Sequence, residues 1–217
     1  MCPLHDRLHV YPGDRAAGEA LRVGAYNHCG VPAVVTQPPS TLLVEWRGNG
    51  SSRLLPKGGE LEGFLRGWAR RAALTMRWVH FGSLCYCEQV RAVAGAATLV
   101  GLHGQGLTNS VFLRPSGLLV ELFHSAQAAH LRPPPGQDAH VELGHQPLAV
   151  AHGMHYVAAA IVHTNCSSRY QWTYSAACST EVDVPALARA LGEYSALLTP
   201  SDSVARVLAA GEQAGLV

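Results

Sequence analysis

The stretch ATLVGLHGQGLTNSVFL, residues 97–113, contains the turn that decides the fold class. An apolar run, residues 97–101, leads into the turn HGQG (103–106), and a helix-like segment follows from Leu107. A short strand that is apolar on both faces is typical of the centre of a parallel sheet. Because glycine has no Cβ, the two glycines of the turn predict a backbone that something approaches closely. What approaches it is the question that the sequence raises.

The neighbouring segments alternate between strands and helices. Strands are predicted at 41–46, 76–81, 97–101 and 118–123, with helices at 58–72, 85–97 and 107–113 between them. This alternation predicts an α/β protein with a doubly wound, Rossmann-like parallel sheet. Beyond residue 124 the pattern is weaker, and it indicates a late strand at 154–163 and a helix at 182–198.

The composition excludes several function classes. The chain has 217 residues, of which 48% are apolar and 14% charged, with a formal net charge of +1. Nucleic acid is not an expected partner, because attraction of a polyanion needs a concentrated positive field. No apolar run is long enough to span a membrane, and the N-terminus lacks the apolar block of a signal peptide, so no membrane contact is expected of this chain.

Metal motifs are absent from the sequence. Cys85 and Cys87 are too closely spaced for a usual structural zinc site, and the histidines show no HExxH pattern. No Asp-x-Asp occurs to support a manganese ion on a diphosphate, so we expect neither a metal nor a cofactor. Cys166 and Cys178 lie in one polar loop and predict a disulfide if the compartment is oxidising.

The position of the glycine turn suits an anionic ligand. Ligands of open α/β sheets bind beyond the carboxyl ends of the strands, and the first amides of a helix are donors for phosphate. A merely tight strand-to-helix turn explains the glycines equally well. The order G-x-x-G-x-G at Gly101, Gly104 and Gly106 is neither the dinucleotide fingerprint nor a P-loop, which disfavours a nicotinamide-dependent oxidoreductase. The sequence has no G-x-S-x-G motif, which argues against an α/β-hydrolase.

The same region resembles a known family. LVGLHGQGLTNSVFLRPSGLLVELF (99–123) resembles the signature of family 61 glycosyltransferases, an HGAGLTN string followed by Phe-Leu-x-Pro and a strand that ends in Glu. Three further segments are similar to that family: SRLL (52–55) with Glu60-Leu61, Phe81 to Val90, and Val182-Asp183-Val184. The family includes the O-GlcNAc transferase of EGF repeats and plant xylan arabinosyl- and xylosyltransferases.

The resemblance implies an enzyme of two domains with GT-B architecture. Residues 41–200 would be its C-terminal, donor-binding half, 1–40 a linker or a remnant of the acceptor-side domain, and 201–217 a C-terminal tail. The reaction would be inverting transfer of a sugar from a UDP-sugar to a protein or polysaccharide hydroxyl, in the Golgi or endoplasmic reticulum lumen. The N-terminal acceptor domain is expected to be missing from this chain.

The resemblance also assigns the diphosphate site. Arg53 would neutralise the diphosphate, since a guanidinium matches phosphate oxygens, although a solvated loop arginine is the alternative. Gly104, Gly106 and the amides of Leu107 and Thr108 would hold the diphosphate, with the Thr108 hydroxyl as a further donor.

Three more residues have two interpretations each. His103 would contact a phosphate oxygen or stabilise the leaving group, or else it is a structural histidine bonded to the neighbouring loop. Asn109 would bind the donor or tie the turn together. Glu121 would accept hydrogen bonds from ribose hydroxyls or cap a neighbouring element. The general base that inversion requires is not assigned, because the other domain can supply it.

Departures from the family pattern keep a second function open. Gln105 replaces Ala, Ser51 and Lys57 stand where Arg and Asn are usual, and Glu45-Trp46 stands where Thr-Arg is usual. The alternative function is therefore a non-catalytic nucleotide-binding or interaction module with a degenerate glycosyltransferase fold.

Overall fold

The computed structural model describes residues 15–32, 38–46, 55, 58–124, 145–164 and 179–195. The helices are α1 (Arg15–Cys29), α2 (Gly59–Arg71), α3 (Tyr86–Ala94), α4 (Gln146–Ala151) and α5 (Val184–Ser195), with 3₁₀ helices at Phe81–Ser83 and Gln105–Phe112. The strands are β1 (Thr41–Glu45), β2 (Thr75–Val79), β3 (Ala96–Leu102), β4 (Leu118–His124), β5 (His155–Thr164) and β6 (Ser179–Glu181). Arg53, the Cys166–Cys178 pair and the tail 201–217 lie outside the described residues.

The strands form one sheet in the order β2-β1-β3-β4-β5-β6. The first five are all parallel, and β6 is antiparallel to β5. This confirms the prediction of an α/β protein with a Rossmann-like parallel sheet, including the late strand. The chain runs outward from β1 to β2 and then crosses to β3, so the winding direction changes between β1 and β3. In open α/β sheets such a switch point opens a crevice at the carboxyl ends of the strands.

Alternating side chains bury two cores, one on each face of the sheet. Leu42 and Val44 point into the core beneath α2 and α5, whereas Leu43 points into the core beneath α1 and α3. The stripe predicted for α2 is confirmed, because Leu61, Phe64, Leu65 and Trp68 are all buried. Because helices cover both faces of the sheet, a ligand can reach it at the ends of the strands.

Four elements differ from the predictions. The segment after the glycine turn is a 3₁₀ helix rather than an α-helix, and it starts at Gln105. β2 ends at Val79, because a 3₁₀ turn begins at Phe81. Helix α4 and strand β6 were not predicted, since six and three residues are too few to show a period.

Helix α1 is part of the α/β unit although it lies in the segment predicted to be a linker or remnant. Its Tyr26 is buried and donates a hydrogen bond to the Phe112 carbonyl at 2.7 Å. A disulfide between Cys29 and Cys87 joins α1 to α3. Cys85 is also disulfide-bonded. Among the helices of the described ranges, none is both long and apolar enough to cross a membrane.

Candidate functional site

The glycine turn lies at the carboxyl edge of the central strand β3. The His103 amide continues the sheet ladder by donating to the Leu122 carbonyl at 2.8 Å. Gly104 then has φ 146°, a backbone conformation that residues other than glycine rarely adopt. The Leu107 amide donates to the Gly104 carbonyl at 3.0 Å and so is not the free donor that was predicted. The Asn109 side chain donates to the Gly106 carbonyl at 3.2 Å, so it ties the turn together.

The group that approaches the glycines is a carboxylate of the protein itself. Glu45, the last residue of β1, is 5% exposed. A Cβ on Gly106 would overlap the Glu45 carboxylate, and a Cβ on Gly101 would lie 2.9 Å from Glu45 Oε2. Gly106 therefore makes room for Glu45, and Gly101 makes room for both Glu45 and the Leu107 side chain, whose Cδ2 would lie 2.7 Å from that Cβ. This observation favours the interpretation as a tight strand-to-helix turn, because no ligand is needed to explain Gly101 and Gly106.

A second buried carboxylate, Glu121, organises a cluster beside the turn. Glu121 is 0% exposed and lies opposite Gly101 in the β3–β4 ladder. Its Oε1 lies 2.6 Å from His103 Nδ1 and 2.7 Å from His145 Nδ1. Its Oε2 accepts the His145 amide at 2.8 Å and the Tyr156 hydroxyl at 2.9 Å. The cluster thus joins the turn, β4, the start of α4 and β5.

These hydrogen bonds keep Glu121 ionised. Burial by itself raises the pKa of Glu121, but the hydrogen bonds from His103 and His145 outweigh it and lower the pKa to about 2. Burial, together with the adjacent Glu121 charge, raises the pKa of the Tyr156 hydroxyl, which therefore remains a donor. An ionised carboxylate only accepts hydrogen bonds, so each imidazole carries its proton on Nδ1. In the neutral rings Nε2 is then an acceptor.

The two histidines form the accessible side of the cluster. The side chains of His103 and His145 are 29% and 14% exposed. The ring of His103 stacks on Phe123, with the centroids 5.0 Å apart. The Phe123 ring and the Glu121 carboxylate thus fix the position of the His103 ring. Such support by neighbouring groups is usual for histidines that bind a metal.

The structure places the described site residues in and beside one turn, with different exposure. His103, Gly104, Gly106 and Glu121 meet at the end of β3. Thr108 is exposed, whereas the Leu107 side chain is wholly buried in the core. Contact between Glu121 and a ribose would require displacement of its present partners, so its capping interpretation fits better.

His145 and Tyr156 were not predicted as site residues, and Glu45 was noted only as a departure from a motif. Nothing near His145 or Tyr156 indicates that they meet Glu121, because the contacts span 24 and 35 positions. Glu45 did carry a signal. An acidic residue that ends the apolar run TLLV occupies the carboxyl edge of a central strand, where site residues of parallel sheets lie. Comparison with known proteins finds no family model that matches the chain and no match among curated proteins.

Proposed function

We propose that this chain is the donor-binding half of an inverting glycosyltransferase with GT-B architecture, which transfers a sugar from a UDP-sugar to a protein or polysaccharide hydroxyl. One observation carries the proposal. The HGQGLTN turn lies at the carboxyl end of β3, beside the switch point between β1 and β3, where an open α/β sheet binds nucleotides.

Within this proposal the residues have distinct roles. Arg53, Gly104, Gly106 and the Thr108 hydroxyl contact the donor diphosphate. His103 contacts a phosphate oxygen or the leaving group, and Glu121 is a positioning residue that fixes the ring of His103 through the 2.6 Å contact. The proposed compartment is the Golgi or endoplasmic reticulum lumen. The Cys29–Cys87 disulfide supports it, since such bonds persist in oxidising compartments.

A second candidate function is a non-catalytic module that keeps the fold. The observation that favours it is the buried Glu45 side chain, which lies against Gly101 and Gly106 where the diphosphate would approach. The Glu45 carboxylate fills space beside the turn that a bound diphosphate would need. The glycosyltransferase requires that a diphosphate bind at the turn, whereas the module does not.

Calorimetric titration of the purified chain with UDP, beside uridine, tests the proposal. Uridine lacks the diphosphate, so it should bind at least about tenfold more weakly, a difference of about 1.4 kcal/mol. Arg53→Ala should weaken UDP binding by a similar factor and leave uridine binding unchanged. Arg77→Ala, which changes an exposed arginine on the edge strand β2, is the matched control and should bind UDP like the unaltered chain.

A third variant locates the diphosphate. Glu45→Ala removes the carboxyl group that lies against Gly101 and Gly106, and it should tighten UDP binding several-fold with no effect on uridine. UDP and uridine binding with equal affinity, or no UDP binding by the folded chain up to millimolar concentration, contradicts donor binding and favours the module.

A further inference from the structure

The side chains around Glu121 have the composition of a metal site. One ligand atom from each of His103, Glu121 and His145 can be chosen so that all three lie within 4.8 Å of one another. Two imidazoles and one carboxylate are the protein ligands of several zinc enzymes and of non-haem iron oxygenases. We propose that these three residues bind a divalent transition-metal ion, and that zinc is the ion best suited to them.

The fold presents the three ligands from separate, fixed elements. His103 follows β3, Glu121 lies within β4, and His145 immediately precedes α4. The parallel pairing of β3 with β4 sets the first two side by side, since Gly101 is opposite Glu121. Ligands held by strands and a helix start of one packed unit need little rearrangement to bind an ion.

The carboxylate is oriented for this task. Its Oε2 is held by the Tyr156 hydroxyl at 2.9 Å and the His145 amide at 2.8 Å. Oε1 is thereby turned towards the Nδ1 atoms of His103 and His145. Hydrogen bonds from an outer shell to a ligating carboxylate are the usual support of a metal ligand. Tyr156 would therefore act on the metal through Glu121 without touching it.

Metal binding replaces the two hydrogen bonds that His103 and His145 donate to Glu121 Oε1. In the metal-free state the Nδ1 protons of the two histidines meet Oε1. An ion bound at both Nδ1 atoms requires each neutral ring to move its proton to Nε2, which leaves the charge of the rings unchanged. The ligands then supply one negative charge to a divalent cation. The side chains of His103 and His145 are 29% and 14% exposed, so an ion can reach the site from solvent.

Another group in the described part of the chain has similar composition but different chemistry. His28, Cys29 and Cys87 also lie close together. Cys29 and Cys87 are joined to each other in a disulfide, so neither offers the thiolate that zinc requires. His28 is consequently a suitable control residue.

The test uses the whole chain without an affinity tag, first freed of metal by a chelator and then titrated with Zn²⁺ against a chelating dye. We expect one tight site. His103→Ala and His145→Ala should each weaken it by more than about 100-fold, beyond the usual outer-shell effect, and Tyr156→Phe by about tenfold. His28→Ala should leave it unchanged. Circular dichroism verifies that each variant is folded.

Nitrogen NMR of the unaltered chain gives a second readout that needs no variant. Zinc should move the proton from Nδ1 to Nε2 in two histidines, and these signals should be the ones absent from His103→Ala and His145→Ala. Equal zinc affinity in the folded site variants, or no change in the histidine tautomers with zinc, overturns the proposal. Neither result depends on whether UDP binds, so the metal site and the proposed glycosyltransferase function can fail separately.

Discussion

Two buried carboxylates flank Gly101 on one face of the sheet, and they are accommodated in different ways. Glu121 accepts hydrogen bonds from His103, His145 and Tyr156. Glu45 lies in space that exists because residues 101 and 106 are glycines. Donors thus surround both oxygens of the Glu121 carboxylate, whereas two glycines leave the space that the Glu45 side chain occupies. Two glutamates beside the same glycine are therefore accommodated by different neighbours. Substitutions of those neighbours separate the two cases.

The largest effect is expected at Glu121. Glu121→Leu removes the acceptor of the part-buried Tyr156 hydroxyl and His145 amide, at a cost of about 1–3 kcal/mol for each group left unsatisfied. We expect the free energy of unfolding of the metal-free chain to fall by at least about 3 kcal/mol, measured by urea denaturation. Glu121→Gln keeps the shape and one acceptor oxygen, and it should lose less. A loss below about 1 kcal/mol for Glu121→Leu would show that the hydrogen bonds do not stabilise the fold.

The second effect is steric and concerns Glu45. Gly106→Ala places a methyl group on the Glu45 carboxylate, and overpacking of this kind costs about 1–3 kcal/mol. The Glu45→Ala background should remove most of that cost, as a double-mutant cycle measures. Gly63→Ala is the control, because nothing lies within 4 Å of a Cβ at this α2 position. It should stabilise the chain by about 0.5–1 kcal/mol, since alanine favours a helix.

These two cases also show what the sequence can and cannot predict. The strands β1 to β4 and the turn after β3 follow from apolar runs and glycines, which are local signals. The partners of Glu121 do not, because His145 precedes a short helix without a period and lies 24 positions from Glu121. The Cys29–Cys87 bond is equally hidden, since six cysteines allow fifteen pairings.

A smaller effect is expected from the hydroxyl that holds Glu121. Tyr156→Phe removes the 2.9 Å hydrogen bond to Oε2 and keeps the ring. Hydrogen bonds to charged groups contribute about 1.5–3 kcal/mol, and the His145 amide still holds the same oxygen, so we expect a loss near 1.5 kcal/mol. Urea denaturation of the metal-free chain measures it. Tyr86→Phe is the control at a half-buried tyrosine outside the Glu121 cluster, and it should lose less than Tyr156→Phe.

The smallest effect is a pH dependence of the free energy of unfolding, caused by His152. This histidine follows α4, whereas His145 precedes it. His145 faces a carboxylate, whereas His152 is buried near the cation Arg22, whose guanidinium donates to the His152 carbonyl at 3.2 Å. Burial, and then the charge of Arg22, lowers the pKa of His152 below its ordinary value. The unfolded chain therefore takes up this proton first as the pH falls. Stability is unaffected well above pH 6.5 and declines below it, by at most about 0.7 kcal/mol between pH 7 and pH 6.

The His152 contribution can be isolated by difference, because other histidines also titrate in this range. Urea denaturation at pH 7 and pH 6 should show a smaller decline for His152→Gln than for the unaltered chain. His28→Gln, at an exposed position on α1, should retain the full decline. An identical decline in all three proteins would mean that His152 is protonated as readily in the folded chain as in the unfolded one. Burial beside a cation would then have no effect on this ring, and the contrast between the two ends of α4 would fail.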